Sequence, residues 1–170
     1  SENSPVDSYL IMQKEAAAKF MGRPLDRKNS LMSMLIMAKF ELSVFYTFQK
    51  ADFFPTSAVS IVMLRLKKSE IPKIPTSDIN TFYDFVTFGF SQFDPYIFGG
   101  VDKLMSKNFI TQLANEQCFS PTLKSSQLSF DNWLSLFNKF IEVGNKEKVT
   151  GSYKNMLSQQ TSLQKSHRTR

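Results

Sequence analysis

The chain has 170 residues, a formal net charge of +6, and 42% hydrophobic against 21% charged residues. That length buries a core without help from cross-links, and the composition excludes wholesale disorder and collagen-like repeats. One cysteine and one histidine exclude a disulfide framework and a closed zinc site.

In chain order, residues 5–21 read as a helix. Ser4 offers an N-cap, Pro5 fits the first helical position, and Gly22 with Pro24 supplies a stop. The connector Arg23-Pro24-Leu25-Asp26-Arg27-Lys28 is basic. Residues 30–53 then read as one long helix capped by Asn29 or Ser30. Leu31, Leu35, Ala38, Leu42 and Phe45 follow helical spacing, and Pro55 closes it. Residues 56–69 are β-branched enough for a strand, yet Val59, Val62, Met63 and Leu66 also fit a helix. With no partner strand evident elsewhere, the expectation is a helix.

Residues 78–94 place Ile79, Phe82, Val86, Phe90 and Phe93 on one helical face. Gly99-Gly100 turns the chain, and Val101, Met105, Phe109 and Leu113 run at steps of four to about Gln117. Ser129 caps a helix whose stripe is Phe130, Trp133, Phe137 and Ile141, ending at Gly144. Residues 145–170 predict a marginal helix and then a solvated basic tail. Phe45-Tyr46-Thr47-Phe48 is echoed by Phe82-Tyr83-Asp84-Phe85, with both copies expected on helices. The expected architecture is therefore all-α: a single helical domain over 1–144 and a basic extension over 145–170.

Catalytic chemistry finds little support. Cys118 lacks a nearby base, because His167 lies near the chain end. Asp78 and Asp84 sit six apart and do not pair on a helix, while Asp94 and Asp102 flank a turn and suit local hydrogen bonds. Phe98-Gly99-Gly100-Val101-Asp102-Lys103 matches neither a phosphate loop nor a dinucleotide pattern. Ser30 follows Arg27-Lys28 and could serve a basophilic kinase, with a plain N-cap as the simpler role. No catalytic residue, metal or cofactor is expected.

Charge is segregated. Residues 14–73 carry eleven Lys/Arg against five Asp/Glu, residues 78–119 two against five, and residues 142–170 six against two. The basic clusters are Arg23, Arg27 and Lys28; Arg65, Lys67, Lys68 and Lys73; and Lys146, Lys148, Lys154, Lys165, Arg168 and Arg170. Clustered cations are the footprint of phosphate binding, and Tyr46, Phe53 and Tyr153 could stack unpaired bases. Seventeen phenylalanines and eight methionines suggest a bulky core with surplus apolar surface for subunit contacts.

The expected function is a non-catalytic assembly protein, such as a coat or nucleocapsid-like subunit. It would bind the backbone of RNA or single-stranded DNA and self-associate or join a protein complex. The alternative is a helical adaptor or accessory subunit. No segment reaches the length of a membrane span: Lys39 and Glu41 interrupt the closest one. The polar start Ser1-Glu2-Asn3-Ser4-Pro5 is unlike a secretory signal, so an intracellular, reducing setting without membrane contact is expected.

Overall fold

Tyr9 and Ile11 alternate with Leu10 and Met12, so the segment is apolar on two opposite faces. A period of two fits it as well as a helical stripe does. The computed structural model describes residues 6–22, 29–94 and 96–168. Asp7–Gln13 is a strand, β1, that runs straight into helix α1, Lys14–Met21. The helix expected over 5–21 is thus half strand; Ser4 and Pro5 lie outside the described residues.

The long helix expected over 30–53 is also divided. Ser30 caps α2, Leu31–Met37, through a reciprocal box: its Oγ accepts the Ser33 N–H at 3.3 Å, and Ser33 Oγ accepts the Ser30 N–H at 3.0 Å. After one tight turn the chain becomes strand β2, Phe40–Thr47. Val44, Phe45, Tyr46 and Thr47 are all residues that pleated strands favour. Residues 61–68 form strand β3, Ile61–Lys68, in place of the helix expected over 56–69.

These three strands overturn the all-α expectation, and they do so together. β3 is central, in the order β1-β3-β2, with both neighbours antiparallel. The partner strands that β3 needs were hidden in the two segments read as helices. Val62 and Leu64 of β3 are fully buried against Ala17 of α1, with Phe20, Met21, Met12, Leu42 and Leu66 packed around them. An irregularity in β2 between Val44 and Tyr46 shifts the register there. Phe45 stands at that irregularity, its ring 5.0 Å edge-on from Tyr9.

Backbone contacts divide the chain into two units, Ser1–Pro75 and Thr76–Arg170. The boundary expected at 144/145 falls inside the second unit. The helical reading holds best there. Helix α3, Ile79–Ser91, buries Phe82, Phe85, Val86 and Gly89. Helix α6, Phe130–Val143, is capped by Ser129 and followed by Gly144, and it buries Phe130, Trp133, Leu136, Phe137 and Phe140. Phe85 stacks on Phe140 at 4.7 Å, and Phe82 meets Phe137 edge-on at 5.2 Å.

The single helix expected from Val101 to Gln117 is instead a short helix α4, Ile97–Gly100, a 3-10 turn, Val101–Lys103, and helix α5, Lys107–Glu116. Ser106 adopts an extended conformation and breaks the run. The echoed Phe-Tyr motifs lie on a strand and on a helix, so they do not form a structural repeat.

Beyond Gly144 the chain is more ordered than its composition suggests. Helix α7, Ser152–Arg168, runs through most of the expected tail. Its first turn is held by a carboxylate from another helix. Asp84 Oδ2 accepts the Gly151 N–H at 3.0 Å, and Asp84 Oδ1 accepts the Tyr153 N–H at 2.9 Å. Those donors have no partner within their own helix, and a negative charge suits that end.

Trp133 lies across Gly89. Its indole N–H donates to Ser125 O at 3.2 Å, and Ser125 Oγ donates to Gly89 O at 3.1 Å. A Cβ at position 89 would stand 2.5 Å from the Trp133 ring, and the fully buried ring has no open direction in which to move. Gly89→Ala is therefore expected to destabilise the fold by about 1–3 kcal/mol. Denaturant titration followed by far-ultraviolet circular dichroism checks this; an unchanged midpoint would contradict the packing described.

Candidate nucleic-acid interface

The pleat of β3 sends Val62 and Leu64 toward α1, so Met63, Arg65 and Lys67 occupy the opposite face. Arg65 is the most firmly held of the expected phosphate contacts. Its Nε donates to Asp7 Oδ1 at 2.8 Å and its Nη2 to Asp7 Oδ2 at 2.5 Å. The guanidinium carbon lies 5.9 Å from the Tyr9 ring centroid. The hydrogen bonds from Arg65, with its charge and that of Lys67 adding to them, hold the Asp7 carboxyl below the usual aspartate range. Arg65 thus ties β1 to β3. Lys67 donates to Glu70 Oε1 at 2.7 Å, an exposed pair whose hydrogen bond raises the lysine and lowers the glutamate.

Lys68 and Lys73 are exposed, at the end of β3 and in the connector that follows. Lys146 and Lys148 share a 3-10 turn, Lys146–Lys148, and Lys148 Nζ donates to Lys103 O at 2.8 Å. Lys154 and Lys165 are exposed on α7. Eleven residues make close to three helical turns, so these two share a face. Arg168 belongs to the last turn of α7. Arg23, Arg27, Lys28 and Arg170 lie outside the described residues. The lysines of 146–165 thus divide between a 3-10 turn and one face of α7.

The aromatic residues expected to stack bases divide in two. Tyr46, Phe48 and Phe53 form a chain of rings with centroids 5.0 and 5.3 Å apart, and the neighbouring Phe54 is fully exposed. Tyr153 instead packs on Tyr83 at 5.2 Å, at the foot of α7. Burial, with the Tyr153 charge second, pushes the Tyr83 hydroxyl up to about 12.

Sequence clustering missed a second set of cations. Lys107, Lys124 and Lys139 lie 5.6, 5.8 and 5.0 Å from the ring centroids of Phe98, Tyr96 and Phe109. They fall in or beside the acidic middle of the chain, where net charge conceals them. The Ser30 hydroxyl serves the helix cap. Asp94 accepts the Tyr96 N–H at 3.0 Å and Asp102 pairs with Lys107 at 3.5 Å, so those two carboxylates have separate partners. Cys118 is exposed. Among the described residues no group of three or more His, Cys, Asp or Glu is placed to hold a metal ion, and no helix is long and apolar enough to cross a membrane.

The family model for ribosomal RNA adenine dimethylase matches residues 1–142. The chain is 22% identical over 139 residues to ribosomal RNA small subunit methyltransferase A of Wigglesworthia glossinidia brevipalpis, covering 82% of this chain and 52% of the relative. It is also 22% identical over 146 residues to the protein of that name in Bacillus mycoides, covering 82% and 50%. In structure it resembles the 23S rRNA methyltransferase ErmE, with TM-score 0.67 and 16% identity over 79% of this chain and 55% of that one. A dimethyladenosine transferase from Plasmodium falciparum matches with TM-score 0.55 and 14% identity, over 85% and 61%. The chain spans about half the length of the curated relatives it matches.

These findings overturn the expected coat or nucleocapsid-like subunit and its adaptor alternative, since the relatives are enzymes. The chain's fold matches part of the α/β methyltransferase folds of these structures, which also overturns the all-α bundle.

The Asp7–Arg65 pair has a pH signature. The folded state depresses the Asp7 carboxyl below its ordinary value of 3.8. Its contribution to stability is therefore complete above that value and is lost as pH falls through the lower folded-state value. NMR titration of the Asp7 carboxyl should show the depressed midpoint, and Arg65→Gln should return it to the ordinary range. A midpoint unmoved by that substitution would rule out the pair as its cause.

Proposed function

The chain belongs to the ribosomal RNA adenine dimethylase family, and from that premise we propose that it forms half of an enzyme that methylates adenine in ribosomal RNA. The match of the family model over residues 1–142 carries this reading. The geometry supports it in two places. The outer edge of β1 has no partner strand among the described residues, and the sheet face beside it exposes Tyr9, Ile11, Phe45 and Tyr46. An apolar edge and face of this kind need a cover, and the further length of the relatives is the natural one. The ring chain Tyr46–Phe48–Phe53 suits a base drawn out of its stack, because enzymes that modify a base hold it against aromatic side chains.

RNA is the partner that the relatives' names carry; single-stranded DNA and self-association have no counterpart there. An intracellular setting agrees with a protein that acts on ribosomal RNA. Methyl transfer also needs a donor. Among the described residues no glycine-rich turn from strand to helix offers the cradle that a nucleotide-like donor takes. This chain's share of the work is then to extend the sheet and to contact RNA. Lys146, Lys148, Lys154 and Lys165 would meet backbone phosphates without reading sequence.

A dimethylated adenine N6 has no N–H left for pairing, so it stops reverse transcription. Disrupting the gene in its source should abolish such a stop in ribosomal RNA read by primer extension, and an unchanged pattern of stops would overturn the enzymatic reading. For direct contact, anisotropy of a labelled single-stranded RNA should fall steeply between about 50 and 200 mM salt. Four phosphate contacts correspond to roughly a fifty-fold loss of affinity over that range, and replacing the four lysines by glutamine should flatten the slope.

A further inference from the structure

Of the cations that clustering missed, Lys107 lines a concavity in the second unit and Lys124 stands over a ring that lines it, while Lys139 pairs with Glu142. Asp94, Tyr96, Phe98, Lys107 and Thr122 line an open groove of about 410 Å³, and an isolated β-bridge joins Tyr96 to Lys124. Two aromatic rings in the same place each carry an ammonium nearby, Lys124 for Tyr96 and Lys107 for Phe98. Tyr96 is half exposed, so its ring offers a surface to an incoming flat group. The Lys107 side chain is 65% exposed and held by Asp102 at 3.5 Å; it can turn toward a phosphate at little cost. Asp94 is fixed by the hydrogen bond it accepts from the Tyr96 backbone, which leaves a carboxylate acceptor on the groove wall. A carboxylate in that position repels an acidic peptide but accepts from the exocyclic amino group of a base.

We propose that this groove binds one unpaired nucleotide of the RNA substrate. The base stacks on Tyr96 with an amino group toward Asp94, and Lys124 and Lys107 hold the adjoining phosphates. The volume suits a ligand of that size. A ring that stacks any base, together with cations that follow the backbone, is the usual means of holding a single strand. The site deepens the reading above and rests on it, since it presumes that the protein acts on RNA.

Anisotropy of labelled single-stranded oligonucleotides, titrated with the whole chain at low salt, tests the proposal. Tyr96→Ala should weaken binding about ten-fold, and Tyr96→Phe, which keeps the ring, should restore it. Phe93→Ala removes a fully exposed aromatic outside the groove and should change nothing. The Tyr96→Ala loss should be larger on oligo(C) than on oligo(U), which has no amino group. If the native chain binds RNA and Tyr96→Ala binds equally well, the groove is overturned and the wider reading stands. If Tyr96→Ala and Phe93→Ala weaken binding alike, the loss is not specific to the groove and the proposal also falls. If the native chain binds no RNA even at the lowest salt, the reading of this chain as an RNA contact falls, and the groove with it.

Discussion

The first unit depends on the register of β3 between its two neighbours. Val62 and Leu64 enter the core while Arg65 and Lys67 face away from it. A slip of one residue would drive both charges against α1 and lift the buried pair out, a change far more costly than the strand hydrogen bonds could offset. Charge on alternate positions therefore fixes the alignment as firmly as apolar burial does. The Asp7–Arg65 fork adds a directional tie on the same face, because its two parallel hydrogen bonds form only when β1 is aligned. Everything else in this unit, from the seating of α1 to the place of Phe45 against Tyr9, follows from that alignment.

Where the sequence was legible, one local signal sufficed. Ser129 and Gly144 bracket α6, and the Phe and Trp residues between them keep a helical period because only one face is buried. Ser30 marks the start of α2 by the same kind of signal. Legibility failed where a short segment fits both periods. Tyr9 to Met12 is an unbroken apolar run, and in residues 40–47 the alternation of Phe40, Leu42 and Val44 with Glu41 and Ser43 was absorbed into the helical spacing that runs from Leu31 to Phe45. The choice between the two depends on a partner far along the chain. Because β3 was read without those partners, one misreading produced the others. The anchor of α7 was illegible for a different reason: Asp84 acts on Gly151 and Tyr153 across 67 and 69 residues, and no local pattern encodes such a pairing.

The basic residues show how little net charge says about use. Arg65 and Lys67 were singled out as phosphate contacts, yet both have carboxylate partners within their own unit. Lys107 and Lys124 drew no notice, because they stand in or next to an acidic stretch, yet they are set over aromatic rings at an open groove. Lys107 also has a carboxylate partner, Asp102, but its side chain is 65% exposed where that of Arg65 is 33% exposed. Exposure rather than pairing separates a cation that holds the fold from one that can turn to a ligand.

The packing of Trp133 also affects how the protein reports on itself. It is the chain's one tryptophan, wholly buried, stacked on Phe90 at 5.4 Å and bonded to the Ser125 carbonyl. Its emission therefore reports the packing inside the helical unit, while the three-stranded sheet has no tryptophan of its own. Tyr9 and Tyr46, half exposed on that sheet, belong to the other unit. The tyrosines are divided, since Tyr83, Tyr96 and Tyr153 lie in the helical unit with Trp133. The indole signal therefore belongs to one unit, and the tyrosine signal is shared by both.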